Sequence, residues 1–343
     1  MTNLIASSRE EIAALVGPWV DRPFRSAQVA RWIHQRHARS FDEMTDLPAD
    51  LRRDLKQRFA IREPAVVDVH ASSDGCCKYL LEFDDGARVE CVAMPSEGKL
   101  TLCLSSQTGC ALGCSFCVTG VLGAGRNLSA EEIVGQYRVM LRLSTTAPER
   151  VNLVFMGMGE PLLNTAQLER ALAVLYERVS PRRITISTAG IVPGIRWLAG
   201  LGQPPKLAVS LNAPDQPRRA AIMPVAARYP LDELMRELRA LPLARGRRIT
   251  FEYVLIRDFN DRVADALAVA SLLRGLPSKV NLIPLNPDPA YIPSLRPPRA
   301  EAVDAFACTL RDAHLAVTVR NSRGQDVAGA CGQLKGRRAT GDG

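Results

Sequence analysis

Six short β-branched or apolar stretches recur beyond Lys99: LTLCLS, VNLVFMG, RITIST, KLAVSL, ITFEYVLI and KVNLIPL. Each is followed by a loop containing Gly or Pro and then a helical stretch, and a seventh stretch, LAVTVR, comes near the end. Strand–loop–helix alternation implies right-handed βαβ units and a parallel sheet, either doubly wound or curved into a barrel. Spacing alone does not choose between these, but the placement of polar residues does. Cys110, Gly157 to Glu160, Ser187 with Thr188, Ser210 with Asn212, and Asn286 all lie just past the C-terminal end of a strand, where barrel active sites are built. The expected fold is therefore α/β, a full or partial barrel over residues 99–333.

The segments before the barrel read differently. Residues 1–62 are expected to form a helical domain: SSREEIAALV opens with a Ser/Glu capping pattern, RSAQVARWIHQRH follows, and LPADLRRDLKQRF closes the run. Val29, Trp32 and Ile33 are its expected small core. Residues 63–98 alternate in VVDVH, KYLLEF and RVECVAM, broken by the turn signals SSDG and DDG, as a bridging β-meander would. The last stretch, LKGRRATGDG over 334–343, reads as a mobile basic tail.

An apolar content of 47% with 23% charged residues excludes disordered, collagen-like and membrane compositions. The opening MTNLIASSREEIAALV lacks a basic stretch followed by an apolar one, and no apolar run approaches the ~20 residues that span a bilayer. A cytoplasmic location away from membranes is expected, and there nine cysteines more often bind metal or do chemistry than form disulfides.

Three of the nine form Cys110-Ala-Leu-Gly-Cys114-Ser-Phe-Cys117 on the loop after the first barrel strand. A structural zinc site closes with four ligands, generally as two CxxC pairs, and no second pair exists here. Three thiolates suit a [4Fe–4S] cluster whose remaining iron keeps an open coordination position. Reductive cleavage of S-adenosylmethionine needs such an iron, since the methionyl amine and carboxylate chelate it.

C-x3-C-x2-C after a first strand, followed by a GMGEP loop, resembles the radical SAM superfamily. More narrowly, TLCLSSQTGCALGCSFC, VFMGMGEPLLN, ITISTAG, LAVSLNAP, NLIPLNP and SRGQDVAGACGQL resemble the RlmN-type adenine C2 RNA methyltransferases and their C8-methylating cousin Cfr. The resemblance implies a partial (β/α)6 barrel over residues 99–333, with Cys110, Cys114 and Cys117 holding the cluster. It also implies that Gly159, Glu160, Ser187, Ser210, Leu211, Asn212 and Asn286 bind S-adenosylmethionine. Independently of it, Gly157 and Gly159 allow close backbone approach to a ligand, and a carboxylate is the natural acceptor for the methionyl ammonium. Cys331, in AGACGQL, matches the family's methyl-carrying cysteine. Cys103 matches the resolving cysteine that forms a disulfide with it, and Glu90 the proton acceptor. Taken without the family, Cys103 is a small core hydrophobe in an alternating strand and Glu90 a solvated strand residue. Cys76, Cys77, Cys91 and Cys308 match nothing catalytic and are expected to be structural. Two departures affect ligand contacts: Asn212 stands where histidine is expected in an SLHAP motif, and STAG replaces STSG.

The formal charge is +8, with six lysines and 38 arginines. Asp215 to Thr250 holds eight arginines against four acids, and the tail adds Lys335, Arg337 and Arg338. Such clusters neutralise phosphates, though they equally describe solvated helix faces. The family's substrates are adenine 2503 of 23S rRNA and adenine 37 of tRNA, with electrons supplied by a donor such as flavodoxin or ferredoxin. A monomer is expected, with residues 1–62 docking RNA. Two alternatives stay open here: C8 methylation of the Cfr kind, and an iron–sulfur RNA-binding protein without turnover.

Overall fold

The structure is a computed structural model that describes residues 1–144, 148–320 and 322–336. Its N-terminal segment is helical, as its capping pattern predicts. Thr2–Asn3 (β1) leads into Arg9–Val16 (α1), where Ser8 and Glu11 make both hydrogen bonds of a capping box. Phe24–His34 (α2) and Ala49–Arg58 (α3) follow, and Phe59–Ala60 (β2) returns to pair in parallel with β1. Leu4, Ile12, Val29, Ile33, Phe41, Met44 and Leu55 make a core of their own. Trp32, expected inside that core, lies at its margin: its indole N–H donates to Asp46 at 2.5 Å and Arg36 stacks on its ring at 4.1 Å.

Three antiparallel strands come next, Ala65–Ala71 (β3), Cys77–Glu82 (β4) and Arg88–Ser96 (β5). The turns joining them use Gly75 and Gly86 at φ +83° and +79°, a backbone region that costs glycine little. The meander does not stand apart as a bridge. β5 pairs antiparallel with Lys99–Cys103 (β6), the first barrel strand, with Val92 opposite Cys103. All later strands extend the same sheet, because an edge left open at β6 would expose unpaired backbone groups.

From β6 onward six strand–helix units run in sequence. Val118–Leu122 (α4) and Ala130–Leu143 (α5) follow β6, and Arg150–Phe155 (β7) leads to Thr165–Leu175 (α6). Ile184–Thr188 (β8) leads to Val192–Gly200 (α7), and Lys206–Ser210 (β9) to Gln216–Ile222 (α8), Val225–Arg228 (α9) and Leu231–Ala240 (α10). Ile249–Leu255 (β10) with Val263–Leu272 (α11), and Ser278–Pro284 (β11) with Ala300–Asp312 (α12), complete the six. Ala316–Val319 (β12) adds one more parallel strand beside β11. The strand order is sequential, and neighbours from β6 to β12 are all parallel, which is the partial (β/α)6 barrel. Its interior is one continuous core running through Leu102, Leu153, Ile186, Val209, Phe251 and Leu282.

Arg138 of α5 fixes the helical segment onto the barrel. Its guanidinium is nearly fully buried, bonds Glu63 at 2.8 Å, and donates to the carbonyls of Ile33 and Ala38. A buried cation is tolerated when its donors are taken in this way. The first residues of the expected tail, Leu334 and Lys335, are anchored. Leu334 is buried, and Thr119 Oγ1 donates to its carbonyl at 2.7 Å. Lys335 pairs with Asp288 at 3.0 Å and lies over the Tyr291 ring. Residues 337–343, with Arg337 and Arg338, lie outside the described residues.

Candidate active site

The C-terminal strand ends converge on one cavity walled by Cys110, Cys114, Cys117, Gly159, Glu160, Ser187, Ser210, Asn212, Asn286 and Cys331. Ten residues scattered over more than two hundred positions are thus brought together as the sequence predicts.

The loop carrying the three cysteines is held by its neighbours. Ser105 exchanges hydrogen bonds with Gln136 of α5, and Ser105 Oγ accepts from Met158 N–H at 2.8 Å while donating to the Glu90 carbonyl at 2.7 Å. Gln107 Oε1 accepts from Glu160 N–H at 2.8 Å, pinning the MGMGEP loop against the cysteine loop. This contact requires the glycines whether or not a ligand approaches them. A Cβ on Gly157 would sit 2.6 Å from Ser105 Oγ, and one on Gly159 would sit 2.5 Å from Gln107 Cβ, with φ at +94°. The close approach is between two loops.

Burial pushes the Cys110 thiol up to about 11 and raises Cys114 and Cys117 as well, each further raised by a neighbouring thiol. Three thiolates here call for a cation between them. The thiols face one cavity without converging on a point: among the described residues, no three His, Cys, Asp or Glu side chains could hold a metal ion. A four-iron cluster, whose irons occupy separate corners, fits three dispersed thiols better than zinc does.

Glu160 is buried with both carboxylate oxygens engaged, accepting from Leu162 N–H at 3.0 Å and Ala189 N–H at 2.7 Å. Burial nevertheless pushes it up to about 7. An ammonium arriving in the cavity would favour its charged form. Asn212 is at φ +58°, its Oδ1 accepts from Val254 N–H at 2.9 Å, and its Nδ2 reaches Met223 Sδ. Asparagine tolerates that backbone region, but so does histidine, which this chain places at positive φ in His37 and His314, so the backbone alone does not explain the departure from the SLHAP form. Leu211 is the exception among the expected ligand residues. It is fully buried and outside the cavity wall, its N–H bonded to the Glu252 carbonyl.

Cys331 also walls a second, adjoining cavity together with Cys103, Val92, Met94, Met156 and Arg320. Burial first, then the Cys331 thiolate, pushes Cys103 up to about 12. Both cysteines are free thiols, so the disulfide implied by the resemblance is not formed here. Asn286 Nδ2 donates to the Cys331 carbonyl at 3.0 Å, and Val118 N–H to the Gly332 carbonyl at 2.7 Å, which hold the Cys331 loop over the cluster loop. Glu90 is not a wall of either cavity. It lies two residues from Val92 and so on the same face of β5, but it is buried rather than solvated. Its carboxylate pairs with Lys78 at 2.9 Å and accepts from Lys335 N–H.

Two charged residues of the site escaped sequence reasoning. Glu252 lines the main cavity with Oε2 lacking a hydrogen-bond partner among the described residues, and an acid between apolar neighbours in ITFEYVLI was the available signal. Arg320 lies beside Cys331, Glu252 and Cys103, all of which favour its charged form. The basic stretch of 215–250 also proves less uniform than its composition suggests. Arg219 is fully buried and donates to the carbonyls of Ala189 and Ser210, and Arg218 bridges Asp215 and Asp265.

A partial barrel with three thiols on the first loop defines a radical S-adenosylmethionine enzyme, and residues 104–270 match the Radical SAM superfamily. Residues 2–61 match the ribosomal RNA large subunit methyltransferase N-terminal domain. A dual-specificity RNA methyltransferase RlmN from Anaeromyxobacter sp. strain Fw109-5 is 44% identical, covering 97% of this chain and 90% of its own. One from Geobacter sulfurreducens is 45% identical over 94% of this chain and 89% of its own. The crystal structure of a radical SAM methyltransferase from Sphaerobacter thermophilus superposes with a TM-score of 0.92 at 39% identity, covering 98% of this chain and all of that one. The chain belongs to the RlmN family of radical SAM RNA methyltransferases. Its cofactors are a [4Fe–4S] cluster and S-adenosylmethionine.

Proposed function

We propose that this chain methylates carbon 2 of an adenine in 23S rRNA and of one in tRNA, through a methylated Cys331 and with two S-adenosylmethionine molecules per turnover. The observation that carries the reading is the position of Cys331, the shared wall between the cavity of the three cluster thiols and the cavity of Cys103.

Cys110, Cys114 and Cys117 would hold the cluster, which would supply the one-electron reducing chemistry that makes S-adenosylmethionine a hydrogen-atom acceptor. The protein's residues do the remainder. Adenine C2 is an electrophilic amidine carbon and does not attack a sulfonium methyl, so a carrier on the protein splits the transfer into feasible steps. Cys331 sulfur accepts a methyl group from a first S-adenosylmethionine, gives up one hydrogen atom from it, and bonds through that carbon to C2. The adduct would return one electron to the redox centre held by Cys110, Cys114 and Cys117, left oxidised by the first step, and the C2 proton passes to Glu90. Cys103 then attacks Cys331 sulfur, forming a disulfide and releasing the carbon, which takes up a proton to become the methyl group. Glu90 reaches this step once the backbone of Lys335 and Gly336 shifts from its carboxylate.

Gly159, Glu160, Ser187, Ser210, Asn212 and Asn286 hold S-adenosylmethionine in this reading. The helical segment docks RNA, and a donor such as flavodoxin or ferredoxin supplies electrons. The enzyme works as a cytoplasmic monomer; no helix among the described residues is long and apolar enough to cross a membrane.

Nuclease digestion and mass spectrometry of RNA treated with the reconstituted enzyme test the reading. 2-Methyladenosine is expected, and 8-methyladenosine in its place would overturn it. Cys331→Ala should abolish methylation with iron content unchanged, and Cys103→Ala should trap a covalent protein–RNA adduct.

A further inference from the structure

The barrel's opposite end carries a second feature that takes no role in the chemistry. A cleft of about 940 Å³ opens between the loop after α7 and the loop after α10, at the N-terminal ends of β8 to β11. Six cations line it, Arg182, Lys206, Arg245, Arg247, Arg248 and Lys279, with no acidic and no aromatic residue among the lining side chains. Among the described residues none of the six has an ion-pair partner, whereas Arg126, Arg138, Arg196 and Arg218 all do. Arg247 is fixed in place by donating to the carbonyls of Pro204 and Pro205. Burial, and then the like charges of Lys279 and Arg247, make the Lys206 ammonium easier to deprotonate. Glu252, on the wall of the main cavity, is the acid whose charge reaches this group, and it acts on Lys279; like charges gathered with so little counter-charge cost stability unless an anion is received there.

We propose that this cleft is a second RNA contact, receiving backbone phosphates from a region of the substrate remote from the target adenine. Two features favour a nucleic-acid backbone over a free nucleotide. The lining has no ring on which a base could stack, and its cations are spread over four strand starts instead of converging on one phosphate. The position suits a large substrate. Ser187, Ser210 and Asn286 mark the catalytic end of the barrel whose other end holds Lys206 and Lys279, so an RNA bound at both ends spans the barrel. Arginine forks and lysine point charges engage phosphate regardless of sequence, which suits an enzyme meeting two different RNAs.

The proposal rests on the RNA substrate argued above, and the test separates the two. The full reconstituted enzyme is compared with a Lys206→Glu, Arg245→Glu, Arg248→Glu triple variant and with the corresponding Gln triple. RNA affinity and methylation are followed from low to high salt. The Glu triple should raise KM for RNA about tenfold near 0.1 M salt, with kcat unchanged, and flatten the log–log salt dependence of binding by roughly two units. The Gln triple should move both readouts in the same direction by less. Unchanged KM and salt slope in both variants overturn the inference. So does binding of inorganic triphosphate in this cleft without competition against RNA, which would mark a small-anion site. A wild-type enzyme that binds RNA with the expected slope but methylates none of it would overturn the proposed activity and leave the second contact standing.

Discussion

At the scale of single residues, the site depends on places where no side chain fits. Gly159 combines positive φ with a Cβ position inside van der Waals contact of Gln107, so Gly159→Ala must either strain the backbone or push the cysteine and MGMGEP loops apart. The cost expected is about 1–3 kcal/mol. Separating the loops also removes the Gln107 acceptor from Glu160 N–H and shifts the segment that aims Cys110. Gly159→Ala should therefore lower both the melting temperature and the iron retained after reconstitution. Gly200→Ala, where a Cβ meets nothing within 4 Å, is the matched control and should change neither. Equal iron content in the two variants would mean that the glycine serves a ligand and not the loop. GMGEP was legible as a motif, but this role was not, since Gln107 lies fifty-two residues before Gly159 and no local pattern links them.

At the scale of elements, the joint between the helical segment and α5 carries a titration. His37 follows α2 at φ +53°, stacks edge-on against Tyr137 at 5.8 Å, and has both ring nitrogens buried without a hydrogen-bond partner among the described residues. Burial, then the charges of Arg138, Arg178 and His34, lowers its pKa from 6.5 to about 4. Unfolded, the ring binds a proton near pH 6.5; folded, it resists until about pH 4. The unfolded state thus holds more protons across that window, and the stability contribution, complete above pH 6.5, is lost as pH falls toward 4. His34, lowered by burial as well, adds in the same direction. Melting temperatures across about pH 4.5–8 should show this acid-side decline, and His37→Asn, which tolerates the backbone angle, should flatten it. An unchanged pH profile in the variant would assign the decline elsewhere. The three helices of this segment were readable, α1 from its Ser8/Glu11 capping pattern, but this joint was not. Arg138 looks like an ordinary helix-face arginine until its donors find Ile33, Ala38 and Glu63, about a hundred residues back or fewer.

At the scale of the molecule, legibility follows the range of the interaction. The six barrel strands and LAVTVR stood out because β-branched runs and the loops after them are local signals, and the cluster cysteines because their ligand spacing is local too. Pairing of β1 with β2 was invisible because two residues carry no period, and the union of β5 with β6 because antiparallel register is not written in either strand alone. The Cys331 segment belongs to the same long-range class, and it yields a prediction about the whole chain. Val118 N–H, one residue beyond Cys117, donates to the Gly332 carbonyl, and Thr119 donates to that of Leu334, so the last described segment is docked on the helix that leaves the cluster loop. Removing the iron by chelation and oxidation leaves three buried thiols with raised pKa values and takes away the bonds that tie them to one another, so the loop keeps only its hydrogen bonds to neighbours such as Gly123 and Ile222. Hydrogen exchange should then accelerate in α4 and in residues 330–336 together, while the core of α1 to α3, joined to the barrel through Arg138 on α5, keeps its protection. Faster exchange in α4 alone would uncouple Cys331 from the cluster loop. Faster exchange throughout would mean that the metal centre supports the entire fold.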